Sequence, residues 1–259
     1  MTTKVLYEEL TPSEFKERLA AAPIAYLPLG TLEWHGEHLP LGSDGIQSRG
    51  FFVELANRVG GIVLPMLFLG PDRHATENGK ELYGMDICRA EAYRAYPNQQ
   101  LPGSAYWVDE ALFRQLLESI LARLARAGFK AVVGHGHGPS TQLFRVNSEE
   151  WGERFGLKLF TCWRGKEEES DGLGIQTDHA GANETSLVMA LRPDLVQMDN
   201  LDPDPGKFPL AVGSKDPRTD ASPDLGKKAI AMQAERMEKL LREALLDHGT
   251  TGPRHPGAQ

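Results

Sequence analysis

Two cysteines in 259 residues, Cys88 and Cys162, stand far apart and form no Cys-x-x-Cys pair. That argues against a disulfide framework or a thiolate zinc site and fits a reducing compartment. No stretch reaches the roughly 18 apolar residues of a membrane-spanning helix, and Met1 to Leu10 carries no apolar signal core. Basic clusters are missing as well. With 36 acidic against 28 basic residues and a net charge of −8, the chain lacks the gathered Lys and Arg that nucleic acid or an anionic membrane surface would need. The expectation is a cytoplasmic protein acting on a small molecule, with neither nucleic acid nor membrane as partner. What is present, 41% hydrophobic and 25% charged residues, is ordinary for a globular chain of this length.

The patterning alternates strand and helix. Thr11-Pro12 opens a helix to about Ala22, with Thr11 as N-cap and Pro12 at the first helical position. Ile24 to Gly30 reads as a buried strand. A helix capped by Ser43 or Asp44 runs to Val59, with Ile46, Phe51, Leu55 and Val59 on one face. Gly60-Gly61 ends it, and Ile62 to Leu67 is a second apolar run. Residues 70–106, rich in Gly, Pro, Asn and Tyr, form a loop-like insertion whose aromatics (Tyr83, Tyr93, Tyr96, Tyr106, Trp107) suit a pocket wall or a subunit contact. An amphipathic helix over 108–127 carries Leu112, Leu116, Ile120 and Leu124, with Leu117 and Leu121 beside them, and stops at Gly128. Strands are expected at 130–134 and 157–162, helices at 139–155, 183–191 and from Ser222-Pro223 to Asp247, and a frayed tail after about 250. Such alternation implies one α/β domain over 1–259, a mostly parallel sheet with helices on both faces.

Three polar clusters interrupt this frame. Glu33, His35, Glu37 and His38 follow the first strand, with Asp44 six residues on. In an extended Glu-x-His the two side chains point the same way, so a carboxylate and an imidazole converge. Loops leaving strands are where α/β proteins place their sites. Gly134-His135-Gly136-His137-Gly138 leaves the 130–134 strand, its glycines letting two imidazoles approach a ligand. The third, Thr177-Asp178-His179-Ala-Gly-Ala-Asn183-Glu184, offers a general acid/base and another ligand. Out of context, it reads better as a helix-capping segment with Asn183 as N-cap and Glu184 at the positive helix end. His38 is read as support or packing behind the ligands and Glu37 as solvated. Trp163 and His74 are candidate substrate contacts.

Glu33-x-His35-Gly-x-His38-Leu-Pro-Leu-Gly-x-Asp44, Gly134-His135-Gly136 and His179-Ala-Gly-x-x-Glu184-Thr-Ser together resemble the creatininase (creatinine amidohydrolase) family over about residues 24–200. The resemblance implies a three-layer α/β/α fold, a centre of two divalent ions (Zn, Mn or Fe) and a homo-oligomer, trimer or hexamer. Position by position, it implies Glu33 and His135 on one metal, His35 on the other, Asp44 bridging them, and His179 moving a proton. The last ligand of the second metal lies between His137 and Glu184. Creatininase has a Glu two residues after the matching histidine and many relatives have Gly-Gly-Asn, whereas this chain has His137-Gly138-Pro139, a departure that weighs against creatinine as substrate.

The expected activity is metal-dependent hydrolysis of a cyclic amide or formamide C–N bond. The alternatives are opening of a C–C bond in a cyclic keto-sugar such as an inosose, and a metal-stabilised binding protein without catalysis.

Overall fold

The computed structural model describes residues 4–88, 96–163 and 172–249. Elements follow the alternation read from the sequence: α1 (Pro12–Ala21), β1 (Ile24–Leu29), α2 (Ser43–Val59), β2 (Ile62–Val63), a hairpin of β3 (His74–Glu77) and β4 (Lys80–Tyr83), α3 (Glu110–Ala127), β5 (Ala131–Gly136), α4 (Gly138–Val146), α5 (Ser148–Phe155), β6 (Lys158–Phe160), α6 (Ala182–Leu191), α7 (Pro217–Asp220) and α8 (Pro223–Gly249). Thr11 caps α1 through a capping box with Glu14, and Pro12 sits where its missing N–H costs nothing. The N-cap of α2 is Gly42, so Asp44 lies inside the first turn rather than capping it.

The main sheet is parallel in the order β2-β1-β5-β6. Side-chain alternation along β1 divides the core. Ile24 and Tyr26 join Phe51, Phe52, Leu55, Leu187, Met237 and Leu241 of α2, α6 and α8. Ala25, Leu27 and Leu29 join Phe113, Leu117, Leu121, Phe144 and Trp151 of α3, α4 and α5. The result is the expected α/β/α layering. From β1 the chain crosses through α2 to β2 on one side, and from β5 through α4 and α5 to β6 on the other. The two central strands are therefore a topological switch point, where loops diverge and leave a crevice at the carboxyl ends.

Several expectations shift. The buried stripe of α3 is Phe113, Leu117, Leu121 and Leu124, while Leu112 is exposed. Both leucine series have helical spacing, and only the position of the sheet chooses between them. The helix expected over 139–155 is two helices, α4 and α5, broken at Asn147. The 70–106 insertion contains the β3–β4 hairpin, with Tyr83 stacked on Trp107 at 4.4 Å. Tyr93 and the tail after 250 lie outside the described residues.

Gly136 closes β5 with φ +149, and a Cβ there would stand 1.7 Å from the Leu29 carbonyl oxygen. Neither backbone can yield, because Leu29 and Gly136 are register partners between the central strands. Gly136→Ala is expected to destabilise the fold by about 4 kcal/mol or more, the range of severe core clashes. A urea midpoint equal to wild type would refute this.

Candidate metal centre

The crevice gathers side chains from both central strand ends and two helix starts. Glu33 and His35 leave β1, His137 leaves β5, Asp44 opens α2 and Glu184 opens α6, all of them buried. Trp34 between the first two turns away, its Nε1 donating to Pro102 O at 2.7 Å, so the alternation expected of Glu-x-His holds although the segment lies outside the sheet. His137 Nδ1 is 3.1 Å from Glu33 Oε1 and 3.2 Å from Asp44 Oδ2. His35 Nε2 is 3.3 Å from Asp44 Oδ1 and 3.6 Å from Glu184 Oε2. Three groups of side chains could hold a metal ion, Glu33/Asp44/His137, His35/Asp44/Glu184 and Glu33/His35/His179, and Asp44 belongs to the first two through different oxygens.

Asp178 sets Glu184 in place. Its carboxylate accepts from the Asn183 and Glu184 backbone N–H groups at 2.8 and 3.1 Å, holding the first turn of α6. Asn183 is not the N-cap. Its side chain instead ties the turn to Thr177, Gly172 and Gly174. His179 stacks on His35 at 4.4 Å, and its Nε2 lies 2.7 Å from the Trp34 carbonyl.

His135 sits differently from His137. It is on the sheet face toward α2 and α6, with Nε2 bonded to Ile175 O at 3.0 Å and its ring edge-on to Trp163 at 5.7 Å. The structure therefore groups Glu33 with His137 rather than with His135. It also seats Glu184 beside His35, so that His137 and Glu184 fall in different groups instead of competing for one place. Trp163 lines the cavity of about 370 Å³ over these groups. His74 does not: it is exposed on β3 and stacks on Trp107 at 5.8 Å. Glu37 is exposed, as expected, and His38 is buried with Nε2 2.9 Å from Thr185 Oγ1, tying the β1 loop to α6.

Two residues beside the cluster went unread in the sequence. Asp72, with Oδ2 3.5 Å from His137 Nε2, and Gln176, whose Nε2 donates to Asp44 Oδ1 at 3.1 Å, sit in segments without periodicity or motif.

The electrostatics follow from putting carboxylates and imidazoles together out of water. Burial lowers the pKa of His35, but Asp44, Glu184 and Glu33 outweigh it and raise the value to about 10. His137 is likewise raised well above its ordinary value by Glu33, Asp44 and Asp72 against burial. Burial and the neighbouring Asp44 push Glu184 up. Burial and the His35 charge push His179 down to about 3. Buried charges persist in folded proteins when paired or when they coordinate metal. Here Glu33 Oε2 is buried with no hydrogen-bond partner. The 3.1–3.6 Å separations between donor atoms match those of ligands about 2.1 Å from a common ion. The residues fit divalent metal.

The family profile described as creatininase, creatinine amidohydrolase, matches residues 8–247. The chain belongs to the creatininase family of hydrolases. A creatinine amidohydrolase of Pseudomonas putida is 26% identical over 93% of each chain. A 3-dehydro-scyllo-inosose hydrolase of Thermotoga maritima is also 26% identical, over 52% of this chain and 37% of its own length. A crystal structure of creatininase shares the fold with TM-score 0.70 and 22% identity, covering 93% of this chain and 98% of that one. Further creatininase structures of this fold are described as a Zn–Zn type and a Mn form. Membership in a hydrolase family sets aside the non-catalytic reading. Among the described residues no helix is long and apolar enough to cross a membrane.

His38 gives this creatininase-family chain a pH-dependent stability. Burial and the His35 charge lower its pKa from 6.5 to about 4. Below pH 6.5 the unfolded chain takes up a proton that the folded one refuses until about pH 4. Stability therefore falls as pH drops through that window, by on the order of 3 kcal/mol. The slope of unfolding free energy against pH between 6.5 and 4 is expected to be shallower in His38→Asn. Identical slopes would refute the assignment.

Proposed function

We propose that this creatininase-family hydrolase opens the C–N bond of a cyclic amide or formamide, with two divalent ions held by Glu33/Asp44/His137 and His35/Asp44/Glu184. The observation carrying this reading is the split of one carboxylate: Asp44 presents Oδ1 to His35 and Oδ2 to His137. Divalent ions in such a site supply Lewis acidity and a water acidified toward neutral pH. Zn and Mn suit a mixed carboxylate–imidazole set without thiolate, as does Fe.

The chain's own residues do the rest. A carbonyl can only accept, so the neutral His179 ring directs its Nε2–H at Trp34 O and leaves Nδ1 as its basic nitrogen. Stacked on His35 and neutral there, His179 is placed to move a proton from the attacking water to the departing nitrogen, a transfer worth about 10²–10⁴-fold in rate. Gln176 holds Asp44 by donating to both its carboxylate and its carbonyl at 3.1 Å. Trp163 forms part of the cavity wall.

A second reading keeps the same groups but cleaves a C–C bond in a cyclic keto-sugar. The partial similarity to the inosose hydrolase favours it. The deciding experiment combines elemental analysis of protein purified without added metal with a substrate panel of cyclic amides, formamides and keto-inositols. About two ions per chain and opening of amide rings support the proposal. Turnover of keto-inositols alone moves the reading to C–C cleavage. No metal after reconstitution with Zn, Mn and Fe overturns both.

A further inference from the structure

A second cavity of about 640 Å³ adjoins the one over the metal centre, and Asp72, Arg73, Gly138, Pro139 and Trp163 line both. Its lining adds the apolar Leu143 and Val146, together with Gln142 and Glu110. This space begins where the metal-binding groups end and leads away from them. A substrate placed with its scissile bond at the centre would send a substituent into it.

Arg73 stands between the two. Among the described residues it supplies the only Lys or Arg side chain lining either cavity, in surroundings that hold Glu33, Asp44, Asp72, Glu110, Asp178 and Glu184. Its Nε is buried and has no hydrogen-bond partner. The nearest carboxylate oxygen, Asp72 Oδ1, is 3.8 Å away and already accepts from the Arg73 backbone N–H at 2.6 Å. The other oxygen of Asp72 faces His137. Folded proteins rarely bury an N–H without an acceptor, and a guanidinium offers a planar fork that matches a carboxylate.

We propose that the second cavity is a substrate subsite and that Arg73 binds a carboxylate carried on a short apolar arm of the substrate. The inference rests on the amide-hydrolase reading above and narrows its substrate class to ring amides bearing an acidic side arm. Among the described residues one guanidinium lines the second cavity, with Glu110 in the same lining, an arrangement that suits a single carboxylate.

The test uses the Zn-loaded protein and two probes, hydantoin and hydantoin-5-acetate, titrated by ligand-observed NMR so that binding and ring opening are read in the same spectra. Wild type is expected to bind the acetate derivative about tenfold more tightly or better, the effect of one charge-assisted hydrogen bond. In Arg73→Gln the ratio of the two affinities is expected to fall toward one, and in Arg73→Lys to recover in part. Arg73 is about one-third exposed, so the variants are expected to fold, and thermal unfolding checks this. Equal affinities in wild type overturn the proposal. So does a preference that survives in Arg73→Gln, since the carboxylate would then be held at the metal centre. Ring opening of hydantoin without any preference removes the subsite and leaves the amide-hydrolase reading standing. A preference lost with Arg73 but no opening of either ring supports the subsite and counts against amide hydrolysis.

Discussion

Replacing Asp44 with asparagine is expected to empty both metal groups together and reduce turnover by roughly a thousandfold or more, about 4 kcal/mol of transition-state stabilisation. The size of the effect follows from geometry. Glu33 and His137 on one side and His35 and Glu184 on the other each share one group with Asp44, whereas its two oxygens serve His35 and His137 separately. An amide of the same shape keeps one oxygen and turns two N–H donors toward the other imidazole, so one group loses its anion and the other keeps only a neutral oxygen. The fold has independent support at this point. Ser48 Oγ and Gln176 Nε2 both donate to the Asp44 backbone carbonyl, at 2.9 and 3.1 Å, and neither bond needs the side chain. Circular dichroism should therefore match wild type while elemental analysis shows metal lost. Full metal content in Asp44→Asn would overturn the shared-carboxylate arrangement.

How much of this was legible in the chain depends on whether spacing alone constrains an element. The Thr11-Pro12 start of α1, the buried run of β1 and the Gly128 stop of α3 are local signals, and the fold follows them. The face of α3 was not local. Leu112/Leu116/Ile120 and Phe113/Leu117/Leu121 satisfy the same period, and the sheet beneath decides which is buried. Similarly, the Glu33-x-His35 pair and its convergence with Asp44 come from short-range geometry. Asp72 and Gln176 reach the site from irregular segments that become neighbours only when β1 and β5 are set side by side. His74 illustrates the reverse error, a residue near the site in sequence that the β3–β4 hairpin carries to the surface.

The histidines of Gly134-His135-Gly136-His137-Gly138 are the sharpest such case, and they give the second large expectation. Family pattern assigns a ligand role to the histidine of a Gly-His-Gly turn, and this chain offers that pattern twice, two residues apart. The strand decides between them. His135 is still within β5, in register with Pro28, so its ring is directed into the α2/α6 layer and onto Ile175 O. His137 comes after Gly136 has turned the backbone at φ +149, and its N–H makes one last bond to Leu29 O at 2.7 Å. That turn carries its ring into the crevice between Glu33 and Asp44. His137→Ala is accordingly expected to lose metal and to cut turnover by roughly a thousandfold. His135→Asn, which leaves both groups of ligands intact, is expected to keep its metal and stay within about tenfold of wild-type turnover. Its cost should appear instead in stability, about 1 kcal/mol if the bond to Ile175 O is lost. Metal content, initial rate and urea midpoint on the two variants separate the roles. Metal lost from His135→Asn and retained in His137→Ala would return the first ligand set to the position that the family pattern alone assigns.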